Sequence, residues 1–249
     1  MSSNREIVKL HNVASACHLC HAKHLCMASS LIGSDLVRFS DIVGHHKPAM
    51  QRGERLFMAG DDIKSMFILH SGSVKSYIES PEGDNQITGF HLPGDVIGLH
   101  GIDGRIHTDT VEALETSSVC EIRSDDLEGI AEAFPQLQSK FLRLVLREMD
   151  HEQKMLLVLG KMTAERRIAH FLLDISTRLE EHGLSGERIN LSMTRHDIAN
   201  YLGLAVETVS RILTRFQRSE IIKVERRFIL IKDRDRLGDT YNRANTSTA

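Results

Sequence analysis

Hydrophobic and polar positions change their period several times along this chain, and each change predicts a different kind of structure. Up to about residue 45 little periodic pattern is visible. Beyond it, short apolar runs such as Arg55-Leu-Phe-Met58, Met66-Phe-Ile-Leu69 and residues 73–78 and 86–92 are separated by Gly53, Gly60, Gly72, Gly83 and Gly94. Pro81-Glu-Gly83 and Pro93-Gly94 add turn chemistry. Short, regularly spaced runs of this kind predict an antiparallel sandwich or roll. After Pro135 the pattern becomes helical through Lys161, with apolar Leu142, Val145, Met149, Leu156 and Leu159. Those positions trace a heptad seam in which Glu152 occupies one core place.

A second helix is predicted from Thr163, with Ile168, Leu172, Ile175 and Leu179 inward and an end near His182-Gly183. Residues 194–217 read as two helices joined at Gly203-Leu-Ala205. Thr194 and Asp197 are spaced as a capping box. Ile198, Ala199 and Leu202 form one apolar face, and Val209, Ile212, Leu213 and Phe216 the other. Residues 221–231 predict a hairpin with Arg226 and Arg227 at its tip. Helix–turn–helix followed by a basic hairpin is a winged helix. The fold class is thus α+β, in four parts: an N-terminal tract (1–45), an antiparallel β-roll (46–135), a long dimerisation helix (136–161) and a winged helix–turn–helix domain (162–249).

Composition alters this picture in one respect. The 249 residues are 41% hydrophobic and 26% charged, with a net charge of −3, as expected for a globular chain with a real core. Up to Gly160 there are 15 Lys+Arg against 22 Asp+Glu; from Lys161 there are 16 against 12. The acidic front and basic back place any nucleic-acid contact in the second half. No apolar run is long enough to span a membrane, and the N-terminus lacks a signal-peptide core, so a cytoplasmic protein is expected. No P-loop, nucleophile elbow or HExxH motif occurs, so no enzyme is expected.

A recognition helix needs one apolar face for docking and one polar face for base edges. Glu207, Thr208, Ser210 and Arg211 lie near the N-terminus of the second helix. Arg211 suits a bidentate contact to guanine and Glu207 an acceptor contact to cytosine, while Arg195, Arg215, Arg218, Lys223, Arg226 and Arg227 are placed for phosphates. The alternative is an ordinary solvated surface helix. Cysteine usage is equally uneven. Cys17, Cys20 and Cys26 lie within ten residues, and Cys120 is remote. A disulfide framework suits neither compartment nor size, so metal or cluster ligation is favoured. Four thiolates are the usual complement of a [4Fe–4S] cluster, but His18, His21 and His24 keep a Cys/His zinc site open.

An acidic roll, a heptad helix and a C-terminal winged helix, in that order, resemble the CRP/FNR superfamily of bacterial regulators. The stretch Thr194-Arg-His-Asp-Ile-Ala-Asn-Tyr-Leu-Gly-Leu-Ala-Val-Glu-Thr-Val-Ser-Arg211, with the Cys17-x2-Cys20-x5-Cys26 spacing and Cys120, resembles the oxygen-sensing FNR (fumarate and nitrate reduction regulator) branch. The resemblance implies several things. Cys17, Cys20, Cys26 and Cys120 would hold a [4Fe–4S] cluster that oxygen converts to [2Fe–2S] and then removes. The anaerobic homodimer would read TTGAT-type inverted repeats through Glu207, Ser210 and Arg211, activating or repressing genes of anaerobic metabolism as a global regulator. Glu82, Gly83 and Asp84 would touch RNA polymerase. Ala205 departs from the hydroxyl N-cap common in relatives.

Glu152 adds a switch reading. In a parallel dimer its carboxylate meets its own copy, which weakens association until another event tips the balance. The bland alternative pairs it with Arg147 or Lys154. Nucleotide control is the other alternative. Gly94-Asp-Val-Ile-Gly98 is present, but the ribose carboxylate and phosphate-binding Arg-Ser of cyclic-nucleotide relatives are missing, and only Arg105 lies nearby.

Overall fold

A computed structural model describes residues 17–20, 22–43, 48–99 and 106–242. The predicted order of parts holds. The roll is built from two antiparallel sheets, one ordered β1 (Arg55–Phe57), β6 (Thr110–Ala113), β3 (Val74–Glu79), β4 (Asn85–His91), the other β5 (Val96–Ile97), β2 (Ser65–Ser71), β7 (Ser118–Arg123). Phe57, Phe67, Leu69, Val74, Ile97, Val111 and Val119 fill the space between them. The glycines that broke the pattern make the turns. Gly72 has φ +83°, and a Cβ there would meet the Ser117 Oγ at 2.3 Å and the Thr116 carbonyl at 2.5 Å, so only glycine fits. Gly83 (φ +89°) closes the β3–β4 hairpin beside Glu82 and Asp84, all three exposed.

Several elements were not legible in the pattern, the C-terminal helix over Arg234–Asn242 among them. Within the tract read as aperiodic, α1 (Gly33–Val43) forms a helix whose Leu36, Phe39 and Val43 are buried. Their spacing is helical, but only three residues carry it. Helix α2 (Ser124–Ala133) follows the roll, and β8 (Arg188–Asn190) is too short for alternation to mark. Phe39 meets Phe134 edge-on at 5.9 Å, and with Met27, Leu31, Ile68, Ile122 and Leu137 they fasten the N-terminal tract onto the roll.

Helix α3 (Pro135–Lys161) begins on its proline, which needs no N–H partner in the first turn. Leu137, Met155 and Val158 are buried. The opposite face is bare: Leu142, Met149 and Leu156 are 58%, 50% and 73% exposed, and Glu152 is exposed among them. Val145 is half-buried, and Leu159 is half-buried against the core of the C-terminal domain. The free seam therefore runs through Leu142, Met149, Glu152 and Leu156, joined by Leu146 and Leu157. Lys154 is paired with Asp150 at 2.6 Å.

In the C-terminal domain, α4 (Ala164–Glu181) ends at Gly183 with φ +67°. Helix α5 (Arg195–Leu202) carries the expected capping box: Thr194 Oγ1 accepts from the Asp197 amide, and the Asp197 carboxylate accepts from the Thr194 amide. Gly203, left-handed at φ +59°, turns the chain into α6 (Val206–Arg218). Ala205 caps α6 without a side-chain bond. Strands β9 (Ile222–Glu225) and β10 (Phe228–Ile231) form the wing, with Arg226 and Arg227 at its tip, and β8 completes its sheet. Helix α7 (Arg234–Asn242) packs back onto α4. Among the described residues no helix is long and apolar enough to cross a membrane.

Candidate functional site

Folding brings all four cysteines to one place. Cys17 opens a 3₁₀ turn, and its amide donates to Ser40 Oγ on α1 at 3.0 Å. Cys26 caps a second 3₁₀ turn, its sulfur accepting from the Ala28 amide at 3.3 Å. Cys120 sits on β7 opposite Ile68. With Cys20 they line one small pocket, whose other walls include Phe39, Val43, Ile68 and Leu69. Burial, reinforced by the neighbouring thiols, pushes Cys26 up to about 11 and Cys120 up to about 12. Thiols so placed resist ionisation alone, and a cation among them inverts that preference.

The donor set therefore fits an iron–sulfur cluster in number and chemistry: four thiols, half-buried, on an apolar wall. The space between them is about 20 Å³, roughly one water. Among the described residues no three His, Cys, Asp or Glu converge closely enough to hold a single metal ion. Of the interleaved histidines, His18 and His24 are exposed, and His21 lies outside the described residues.

The cysteine loop touches each other part of the molecule. Leu25 lies against Gly94 of the roll, where an added Cβ would come within 2.6 Å of it. Lys140 on α3 donates from Nζ to the Cys26 carbonyl at 2.7 Å and to Ser29 Oγ. His24 Nε2 donates to the His182 carbonyl at the end of α4 at 3.2 Å. Leu25 and Lys140 carry no local signal in the sequence, and His24, Gly94 and His182 are read there in other roles.

The second constellation lies on α6. Val209, Ile212, Leu213 and Phe216 are buried, leaving Glu207 and Arg211 exposed, and Thr208 and Ser210 partly so, on the outer face. Arg195 reaches across from α5, its Nη1 donating to Ser210 Oγ at 3.1 Å. Arg215, read as a phosphate contact, is instead paired with Glu165 of α4. The domain leans on its own roll. Lys75 Nζ lies 2.9 Å from Asp197 Oδ1, the Ile87 amide donates to Asn200 Oδ1 at 2.6 Å, and Ser73 Oγ donates to Ser192 Oγ at 2.6 Å. Arg178 of α4 pairs with Asp95 and donates to the Phe90 carbonyl at 2.9 Å. Asp95 is the acid that follows Gly94 in the stretch considered for nucleotide binding, and here it is engaged by the C-terminal domain. Arg105 lies outside the described residues.

Comparisons with known proteins agree with this architecture. Residues 49–134 match the cyclic nucleotide-binding domain and residues 166–240 the Crp-like helix-turn-helix domain. Electron transport regulator A of Shewanella oneidensis is 44% identical over 221 residues, covering 89% of this chain and 88% of its own. The fumarate and nitrate reduction regulatory protein of Vibrio cholerae is 44% identical over 215 residues, 86% of each chain. The transcriptional activator protein Anr of Pseudomonas protegens is 44% identical over 230 residues, 92% and 93%. Among solved structures, FixK2 from Bradyrhizobium japonicum superposes with a TM-score of 0.73 at 32% identity, covering 80% of this chain and 98% of that one. These relatives are transcription regulators and not enzymes, and a helix-turn-helix regulator of this kind binds DNA and dimerises. The chain belongs to the Crp/Fnr family of transcription regulators, with an FNR-like character along most of its length.

Proposed function

We propose that this chain is an oxygen-responsive global regulator of anaerobic metabolism, acting in the cytoplasm through a [4Fe–4S] cluster on Cys17, Cys20, Cys26 and Cys120. The single observation that carries the reading is that cysteines up to 103 positions apart in sequence (17 to 120) line one half-buried pocket. When bound, the cluster supplies the oxygen-reactive centre; the chain's own residues supply the consequences. The four thiolates tie the N-terminal tract to β7. Lys140 joins the same loop to α3, and the bare face of Leu142, Met149, Glu152 and Leu156 then meets its copy in a parallel dimer. Val145 flanks that seam, and Leu159 anchors its lower end to the winged helix. The dimer presents two copies of α6 to an inverted repeat of TTGAT type. Glu207, Ser210 and Arg211 read bases, with Thr208 beside them and Arg195 on phosphate, while Arg215 contributes once its pairing with Glu165 loosens. Glu82, Gly83 and Asp84, exposed on the β3–β4 hairpin, are the surface offered to RNA polymerase. On this reading the parts are 1–45, 46–135, 136–161 and 162–249.

Purification without oxygen tests the assignment. The expected product is straw-brown, with iron and sulfide at four each per chain and broad thiolate-to-iron absorption. Cys26→Ser or Cys120→Ser should abolish both the colour and the dimer. A colourless, zinc-loaded protein overturns it. The stretch after Gly94 lacks the ribose carboxylate and the Arg-Ser pair, and Asp95 is engaged by Arg178, so calorimetric titration with cyclic nucleotides is expected to show no heat of binding.

A further inference from the structure

His170, on α4, is packed where α3, α4 and α7 come together. The residue is half-buried, and its Nε2 is closed off from solvent with no hydrogen-bond partner among the described residues. Its ring lies against Tyr241 of α7, centroids 5.3 Å apart and 26° from parallel. Arg166, one turn earlier on α4, donates from Nε to the Tyr241 carbonyl at 2.8 Å. Met155 and Val158 of α3 and Leu237 of α7 are buried in one core with Ile168 and Leu172 of α4. Through this joint the long helix carries the winged helix.

The charges around His170 are largely committed to one another. The ring lines a cleft of about 360 Å³ between α3, α4 and the roll. On the α3 side Lys154 pairs with Asp150 at 2.6 Å, and Arg147 and Glu148 line the same cleft. On α4, Asp174 is shared between Arg178 at 3.7 Å and His151 Nδ1 of α3 at 4.0 Å, with Glu181 two turns further on. His151 Nε2 lies 3.2 Å from the Tyr201 hydroxyl on α5. On the roll, Asp95 is held by Arg178, and His91 Nε2 lies 3.1 Å from Ser76 Oγ. No carboxylate is within hydrogen-bond reach of His170 Nε2. Burial holds this imidazole below its ordinary value of 6.5; Asp174 pulls it back up, while His151 and Lys154 push it down. The packed joint therefore suits a neutral ring. An opened, hydrated joint returns the ring to its ordinary proton affinity. Packing is undisturbed above about pH 6.5 and loses ground as pH falls below it, because only the open form then takes up the proton.

We infer that His170 makes the joint between α3 and the winged helix acid-sensitive: proton uptake there loosens α4 and α7 from α3 and lowers DNA affinity while the dimer persists. Two recognition helices reach one inverted repeat together only when held at a fixed separation. A loosened joint gives up that constraint without touching the face of Leu142, Met149 and Leu156. This rests on the α3 seam and the α6 recognition face proposed above, and not on the cluster.

The test uses the full-length protein prepared without oxygen and a duplex site that it selects itself from random-sequence DNA at pH 7.5. Affinity, sedimentation and amide exchange are followed from pH 7.5 to 5.5. The parent should lose about three- to tenfold in affinity per protomer and stay dimeric, with exchange quickening in α4 and α7. His170→Phe keeps a ring against Tyr241 and His170→Gln keeps a polar group; neither takes up the proton. Both should match the parent at pH 7.5 and hold that affinity at pH 5.5. A ratio of parent to variant affinity that is the same at both pH values overturns the inference. So does a parent that dissociates to monomers in acid as readily as His170→Phe does. Failure of the recognition reading shows separately, as no selected sequence. Exchange in α4 and α7 needs no DNA and then decides the joint, a parent and His170→Phe that quicken alike overturning it.

Discussion

Lys140 and Cys26, 114 residues apart, are joined by a 2.7 Å hydrogen bond from the ammonium to the backbone carbonyl. The same ammonium also reaches Ser29 Oγ, so one side chain on α3 holds both ends of a cysteine-bearing turn. Partial burial lowers the Lys140 pKa, as does Arg147, while Cys26 raises it. Lys140→Met keeps the aliphatic stem and removes both bonds. It is expected to cost about 1–3 kcal/mol, seen as faster hydrogen exchange across the cysteine loop and a shorter lifetime of the anaerobic dimer. Unchanged exchange in the loop would show that the bond is dispensable.

Asp197 makes the docking of the winged helix sensitive to acid. Burial raises its carboxyl, but the Thr194 hydroxyl and amide and the Lys75 ammonium outweigh this and hold it below its ordinary value of 3.8. A depressed carboxyl contributes stability above its unfolded pKa and loses it as pH falls through the folded one. Stability should therefore be flat on this account between about pH 5 and 7 and decline below about pH 4. Asp197→Asn should lose about 1–2 kcal/mol at neutral pH, through the cap and the Lys75 contact, and show a shallower acid decline. Denaturant unfolding at a series of pH values reads both.

Glu152 stands exposed on the seam, and Lys154, one of its two basic neighbours, is already held by Asp150. Glu152→Ala removes the like-charge contact expected in a parallel pair and should give dimer in air by sedimentation velocity. A monomeric variant would assign the oxygen response to something other than seam repulsion.

Arg211 is exposed one turn into α6, with its neighbours Ile212 and Leu213 buried. Its replacement by alanine should cost about 1–3 kcal/mol of DNA affinity and relax preference at a single base pair. Arg211→Lys should recover little, because lysine lacks the two-pronged geometry. Competition binding against single-base variants of the site distinguishes this from a uniform loss.

How far the sequence alone could be read depended on the range of each signal. The capping box of Thr194 and Asp197, the glycine turns, the wing tip at Arg226 and Arg227 and the start of α3 on Pro135 all rest on contacts within a few residues, and each stands where the pattern placed it. Helix α1 escaped because its buried stripe is three residues deep, and β8 because three residues cannot show a period. Leu159 fits the heptad arithmetic as well as Leu156 does. Yet one packs against the C-terminal core and the other is 73% exposed, a difference set by which side of the helix that domain covers.

The sequence by itself determined the order of parts, the four thiols and the polar face of α6, because periodicity and motif spacing are properties of neighbours along the chain. Only the tertiary structure decided that Cys120 reaches the N-terminal cysteines, that Lys75 and Asn200 seat the winged helix on the roll, and that His170 stacks on Tyr241. Those pairings join residues far apart in sequence. What selects them is the burial of apolar cores and the satisfaction of polar groups between them, and neither leaves a trace in local pattern.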